Sequence, residues 1–376
     1  MPTDPLAHLP AEEQVLCLAA RTSLEGGARE RLAAVVASGI DWERLWALAH
    51  LHEVVPLVST TVPLAAGDAV PAAWRARVTK RRHVTLGANA RLAQVLLATL
   101  RALGAAGIEA MPVKGLVVAE QLYGDIGARP CADLDVLVRP TDMPAARAVL
   151  RGEGFAQRAE PRYKALVHQF HDPAWQLGRG SDAIRLELHW ALWADSERRM
   201  GTDGLWQRAV DATLQRRSIR SLAPEDMLLH LAIHRTRSDL LLRWVADVAE
   251  LLRRQGASLD WDAYLERAGQ AGGRTASAVI LALARDLLDA PVPEPVMARL
   301  AVGWPKRAIL ELTCGRRALF RAAPEGDVRQ QPHLAVRAFE EDGLTRIVGG
   351  LTGSALRPLR EALHDAGLVR VRRRMA

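Results

Sequence analysis

Six consecutive residues, Asp133-Leu134-Asp135-Val136-Leu137-Val138, restrict what this chain can fold into more than any other stretch. Leu134 and Val136 to Val138 predict a buried strand. Residues two apart in a strand point the same way, so Asp133 and Asp135 place both carboxylates on one face. Unpartnered carboxylates in such a setting are costly, and two like charges this close need a cation. Upstream, Lys114-Gly115 separates a short apolar stretch from an apolar helical one. A glycine at such a helix start offers backbone N–H groups to a phosphate. The fold must therefore bring a sheet, a helix start and positive charge to one place.

The periodicity around this stretch divides the chain. From residue 12 to about residue 103, apolar residues recur at three- and four-residue spacing, as in Leu45, Leu48 and Ala49, and in Leu92, Leu96, Leu97 and Leu100. That spacing predicts helices. Asp41 before Trp42 and Asp260 before Trp261 read as two uses of one helix start, an N-cap acid followed by tryptophan. After Gly104 the pattern shortens: strands over residues 108–113, 134–138, about 155–176 and 183–190, and helices over 116–123 and 143–151. Beyond Asp195 helical spacing returns, ending in a basic tail with Arg370, Arg372, Arg373 and Arg374. The expected organisation is a helical region over 1–103, an α/β core over 104–195 and a second helical region over 196–376.

Composition excludes several classes. With 376 residues, 49% apolar and 25% charged, the chain is long enough for a large core and has no disorder signature. Cys17, Cys131 and Cys314 are odd in number and far apart, which argues against a disulfide framework or a zinc cluster. The N-terminus lacks a basic region followed by an apolar run, and no apolar run is long enough for a bilayer, so a cytoplasmic protein is expected. The net charge of +7 comes from 50 basic and 43 acidic side chains and reads as a mild, chain-wide excess. Only Lys80, Lys114, Lys164 and Lys306 are lysines, which makes Lys114 stand out.

A pair of Mg²⁺ ions is the usual partner of such an aspartate couple, and a two-metal site wants a third carboxylate from a neighbouring strand. Glu187 in Arg185-Leu186-Glu187-Leu188-His189-Trp190 offers it, with His189 on the same strand face; Asp182 and Asp195 are the fallback carboxylates. Lys114 and Arg129 are expected to contact phosphate, because a triphosphate carries more charge than two cations neutralise alongside the carboxylates. The plainer readings are a glycine turn at Lys114-Gly115, an Arg129–Asp125 pair, and Glu187 and His189 on a solvated edge. Asp260 and Asp262 are an acid pair of another kind, favoured by a helix dipole. His189 is a candidate for a substrate or acceptor contact, and His168 and His171, which fall near the site, are further candidates for acceptor binding. His230 and His234 have zinc spacing, but Leu231 stands where a metallopeptidase carries its glutamate, so packing is the expected role. There is no P-loop, no Gly-x-Ser-x-Gly elbow, no dinucleotide-binding glycine motif and no kinase-type His-Arg-Asp.

The chain resembles the uncharacterised bacterial nucleotidyltransferase family of the DNA polymerase β-like superfamily. The resemblance rests on Val113-Lys114-Gly115, Leu122-Tyr123-Gly124, Arg129, Asp133 to Val138, Gly154-Phe155 and Leu186-Glu187-Leu188-His189-Trp190. It extends to His52-Glu53-Val54-Val55-Pro56 upstream and Trp244-Val245-Ala246-Asp247 downstream. It implies an α+β fold, with a small mixed sheet forming a polymerase β-like core flanked by helical regions. It also implies an NTP substrate, two Mg²⁺ ions, and metal ligands at Asp133, Asp135 and Glu187. Two departures stand out: Lys114-Gly115 replaces the usual Gly-Ser of the phosphate loop, and the third carboxylate is glutamate where aspartate is commoner. The expected reaction transfers NMP to a hydroxyl or phosphate of a small molecule or peptide, as in natural-product tailoring, and releases pyrophosphate. A toxin-like RNA acceptor is less expected, since no basic-aromatic platform shows in the sequence; a nucleotide-sensing or partner-binding scaffold is the alternative outside catalysis.

Overall fold

The computed structural model describes residues 5–25, 27–158, 172–192, 201–235 and 241–303, with residues 307, 310, 319 and 320. Helices open the chain: α1 Ala11–Ala19, α2 Ala28–Ala37, α3 Trp42–Leu51, α4 Val55–Ala66 and α5 Ala72–Ala105. Asp41 caps α3 by accepting from the backbone N–H groups of Glu43 and Arg44, which satisfies donors that have no partner within the helix. Helix α5 runs for 34 residues, about 50 Å. Trp74, Val78, Thr85, Asn89, Leu92 and Leu96 form its buried stripe.

The α/β unit follows: β1 Ala110–Pro112, α6 Leu116–Tyr123, β2 Leu134–Val138, α7 Met143–Gly152, β3 Ala156–Gln157, β4 Trp175–Leu177 and β5 Ile184–His189. The five strands form one mixed sheet in the order β1-β2-β5-β4-β3. Strand β2 is antiparallel to β1 and parallel to β5, and all five of its residues are buried. A parallel neighbour requires a crossover, and residues 139–183 with α7 supply it. The register sets Asp135 opposite Glu187 and Leu137 opposite His189.

The third stretch is less uniformly helical than its periodicity predicts. After α8, Asp203–Arg208, strands β6 Val210–Leu214 and β7 Arg217–Ser221 form a separate antiparallel hairpin. Its two-residue turn, Gln215-Arg216, has φ of 48° and 62°. A primed turn of this kind usually carries glycine or asparagine, so no residue here signalled the turn. Helices α9 Pro224–Arg235, α10 Leu242–Gln255, α11 Trp261–Gln270, α12 Arg274–Leu288 and α13 Glu294–Leu300 complete the described chain. Asp260 caps α11 by accepting from Ala263, the same device as Asp41.

Apolar side chains from Leu6 to Phe320 form one continuous core. Buried polar contacts cross it over long sequence separations: Arg21 donates to Leu288 O, and the backbone N–H of Leu242 donates to His52 Nδ1. Among the described residues no helix is long and apolar enough to cross a membrane.

Candidate active site

The sheet register builds the site. Because β2 and β5 run parallel with Asp135 opposite Glu187, both carboxylates emerge on one face of adjacent strands. His189, two residues beyond Glu187, emerges on the same face. One ligand atom from each of Asp135, Glu187 and His189 lies within 4.8 Å of the others. Asp133 precedes β2 by one residue and adds a third carboxylate, close enough for its charge to act on the same cluster.

Lys114 enters from the turn between β1 and α6. Its Nζ lies 2.6 Å from Asp135 Oδ1, and both side chains are largely buried. Gly115 permits this entry: its φ is 58° and it stands immediately before α6. A side chain there would be strained, and its Cβ would meet Asp133 O at 3.6 Å and Cys131 Sγ at 3.8 Å. His189 Nε2 lies 3.0 Å from the same Asp135 oxygen and 3.6 Å from Glu187 Oε2. Arg185 donates to the other oxygen of Glu187 at 3.3 Å.

The electrostatics separate the three acids. Burial opposes ionisation of Asp135, but Lys114 and His189 outweigh it and hold the carboxyl well below the usual range. Burial likewise opposes ionisation of Glu187, yet the His189 contact and the Lys114 charge hold it at about 2 against the repulsion of Asp135. Asp133 lacks such a contact, so burial and the neighbouring charges of Asp135 and Glu187 raise it to about 6. On the cationic side, burial lowers Lys114 and His189, while the surrounding acids raise both above their ordinary values.

Arg129, expected to contact phosphate, is held by another partner: its Nε and NH2 bind both oxygens of Asp247 on α10 at 2.9–3.0 Å, fully buried. Tyr123 Oη donates to Asp247 as well, at 2.7 Å. Nor is Arg129 paired with Asp125, which takes Arg82 and caps the turn at Gly127 N. Asp247 was not singled out from the sequence for a role. A signal existed, because it is an acid among Val245, Val248 and Leu251 on a helix, where burial demands a cation.

The remaining candidates separate as follows. Asp182 lies in an exposed turn with Arg91, and Asp195, His168 and His171 fall outside the described residues. His230 and His234 stack ring on ring at 5.7 Å, with Trp244 edge-on to His234. Cys17 and Cys131 are free thiols; Cys314 falls outside the described residues.

A family described as "Uncharacterised nucleotidyltransferase" matches residues 38–289, which takes in every residue of this cluster. A solved structure, the antigenic nucleotidyltransferase-like protein from Paracoccidioides brasiliensis, is similar at 15% identity, covering 55% of this chain and 96% of that one, with a TM-score of 0.35. No curated protein matches the chain.

Proposed function

The chain belongs to the uncharacterised nucleotidyltransferase family, and from that premise we propose that it moves a nucleoside monophosphate from an NTP to an acceptor hydroxyl or phosphate of a small molecule or peptide, releasing pyrophosphate. The observation that carries this reading is the facing pair Asp135 and Glu187 on parallel strands, with Lys114 on Asp135 and the glycine turn at Gly115 beside them.

The donor set fits hard divalent cations. Three carboxylates converge, and two of them are held ionised at neutral pH by Lys114 and His189. Asp133, Asp135 and Glu187 would hold two Mg²⁺, which when bound neutralise phosphate charge and polarise the reacting oxygens. The chain's own groups do the rest. The backbone N–H groups after Gly115, at the start of α6, cradle the phosphates. Lys114, released from Asp135, is the resident cation with the reach to follow the negative charge that develops on the leaving pyrophosphate. An acceptor oxygen forms its bond to the α-phosphorus as the α–β bridging bond breaks. Its proton passes to Glu187, which is ionised and part-exposed, with one oxygen oriented by Arg185.

Incubating the full chain with each α-labelled NTP, Mg²⁺ and a fractionated pool of small molecules and peptides tests the reading. Label should appear in an acceptor with stoichiometric pyrophosphate. Unchanged pyrophosphate release by the Asp133→Ala, Asp135→Ala double variant would overturn it.

A further inference from the structure

Helix α5 has seven lysine and arginine residues and no acid, five of the seven lying between Arg75 and Arg82. The whole chain has 50 basic and 43 acidic side chains, a formal excess of seven. The rest of the chain sums to 43 basic and 43 acidic side chains, unevenly placed, since residues 301–376 carry 14 basic against eight acidic.

The buried stripe of α5, with Trp74, Val78, Thr85 and Asn89, faces the protein. The opposite side, with Ala76, Thr79, Lys80, His83 and Gly87, is exposed. A shallow groove of 1080 Å³ runs over it, bordered by Asp68, Val70, Arg75, Lys80, His83 and Val84, with one acid among its basic residues. Arg77 and Arg82 are balanced by Glu43 and Asp125. Lys80 and Arg81 have no acidic partner among the described residues. Beside the helix, Trp46 and His50 stack at 5.8 Å with an interplanar angle of 11°, and the Arg77 guanidinium lies 4.1 Å over the Trp46 ring. A basic-aromatic grouping thus exists in space, although no window of sequence shows it.

The helix is also tied to the approach of the candidate active site. Asn89 donates to the carbonyls of Ile126 and Arg129, four residues ahead of Asp133 at the nearer one. Arg91 donates to Asp182 O at 2.6 Å, just before β5. The helix therefore touches the segments that lead into both strands that carry the acids.

We propose that the outward side of α5, from Arg75 to Arg91, binds the phosphodiester backbone of a single-stranded nucleic acid. Docking faces for proteins are depleted of charge at their centre, whereas nucleic-acid faces are strongly positive. Here the centre is Lys80 and His83, and the exposed large apolar side chains of the helix are Val84 and Leu86. Aromatic rings next to a basic track favour a single strand, whose bases are free to stack. The proposal goes beyond nucleotidyl transfer, and its test reads binding alone, so it stands or falls separately from the reaction.

Fluorescence anisotropy of the full chain with labelled oligouridylate and oligothymidylate of about 20 nucleotides, between about 50 and 200 mM KCl, measures it. Wild type should bind with strong salt dependence. Lys80→Glu with Arg81→Glu should weaken binding roughly tenfold or more at the lowest salt and reduce the log–log salt slope by about 1.4. Lys80→Gln with Arg81→Gln should move both in the same direction by less, and serves if charge reversal impairs folding. Arg216→Glu with Arg217→Glu, an equal change of charge on the exposed β6–β7 turn, should leave binding as in wild type. A preference for either oligonucleotide supports the proposal and identifies which backbone is held. Equal losses in the two reversal variants, wild-type binding without salt dependence, or equally tight binding of polyglutamate would overturn it.

Discussion

Lys114 Nζ lies 2.6 Å from Asp135 Oδ1, so the carboxylate at the centre of the acid cluster already holds a cation that belongs to the chain. A divalent ion entering there has to displace or share that contact. The lysine is then free to meet incoming phosphate, which links metal entry to phosphate capture through one side chain.

Lys114→Met tests this exchange. Breaking a buried ion pair costs up to roughly 3–5 kcal/mol, and here leaves Asp135 with His189 alone, so the metal-free variant should melt below wild type. Mn²⁺ or Mg²⁺ should then raise its melting temperature more than that of wild type, because the acids have lost the lysine's counter-charge. Equal metal-induced shifts in thermal denaturation would show that Lys114 is not the competing cation.

Arg129 and Asp247 join the loop before β2 to α10 through a fully buried, two-oxygen pairing. Arg129→Ala should cost roughly 3–5 kcal/mol in denaturant unfolding. Arg129→Lys should recover little, since an ammonium cannot reproduce the planar fork. A phosphate contact would give the opposite signature: near-normal stability with weakened NTP binding by calorimetry.

Gly115 has φ 58°, a region costly for a residue with a Cβ. Gly115→Ala should lose about 1–2 kcal/mol of stability. It should also weaken NTP binding, because relief of the strained positive φ moves the turn that carries Lys114, while the new Cβ itself sits at ordinary contact distance. Substitution of Gly104, whose Cβ position is open and whose φ is helical, should show neither effect. Parallel melting curves and nucleotide titrations of the two variants separate the outcomes.

Local chemistry made part of this architecture legible. The apolar run after Gly115 gave α6 its observed bounds of Leu116–Tyr123, and the alternation around Leu186 gave β5 to within a residue or so at each end. Asp41 and Asp260 announced their helices because an N-cap acts within three residues. Features set by distant pairing did not show. That Asp135 faces Glu187 depends on a parallel register between strands about fifty residues apart, and β2 alone does not state it. The partner of Arg129 lies 118 residues downstream, whereas Asp125 sat nearby and drew the expectation. The β6–β7 hairpin was hidden by a Gln215-Arg216 turn that adopts positive φ without glycine. On α5, the seven basic residues were visible, but how they lie around the buried stripe and the Trp46–His50 stack beside them required the packed helix.

Asp133 gives the metal-free protein a distinctive pH dependence. Its carboxyl is raised from 3.8 to about 6 by burial and by the charges of Asp135 and Glu187. A raised acid binds protons more tightly in the folded state, so folding is favoured at low pH and loses stability as pH climbs between about 4 and 6. The shift corresponds to about 3 kcal/mol at most. Glu187 and Asp135, whose carboxyls are lowered from 4.5 and 3.8, lose their contribution as pH falls through those values, so the decline belongs to Asp133 most clearly above about pH 5. His189 is raised above its ordinary value of 6.5, so its contribution is fully present below that pH and declines only above it. Denaturant unfolding of the metal-free chain should therefore show stability declining from pH 4 toward pH 6, and Asp133→Asn should flatten that segment of the curve. Mg²⁺ should flatten it too, since cation binding favours the ionised carboxylate and removes the penalty at the upper end. A slope that survives in Asp133→Asn would place the titrating group elsewhere and remove Asp133 from the charge-coupled cluster.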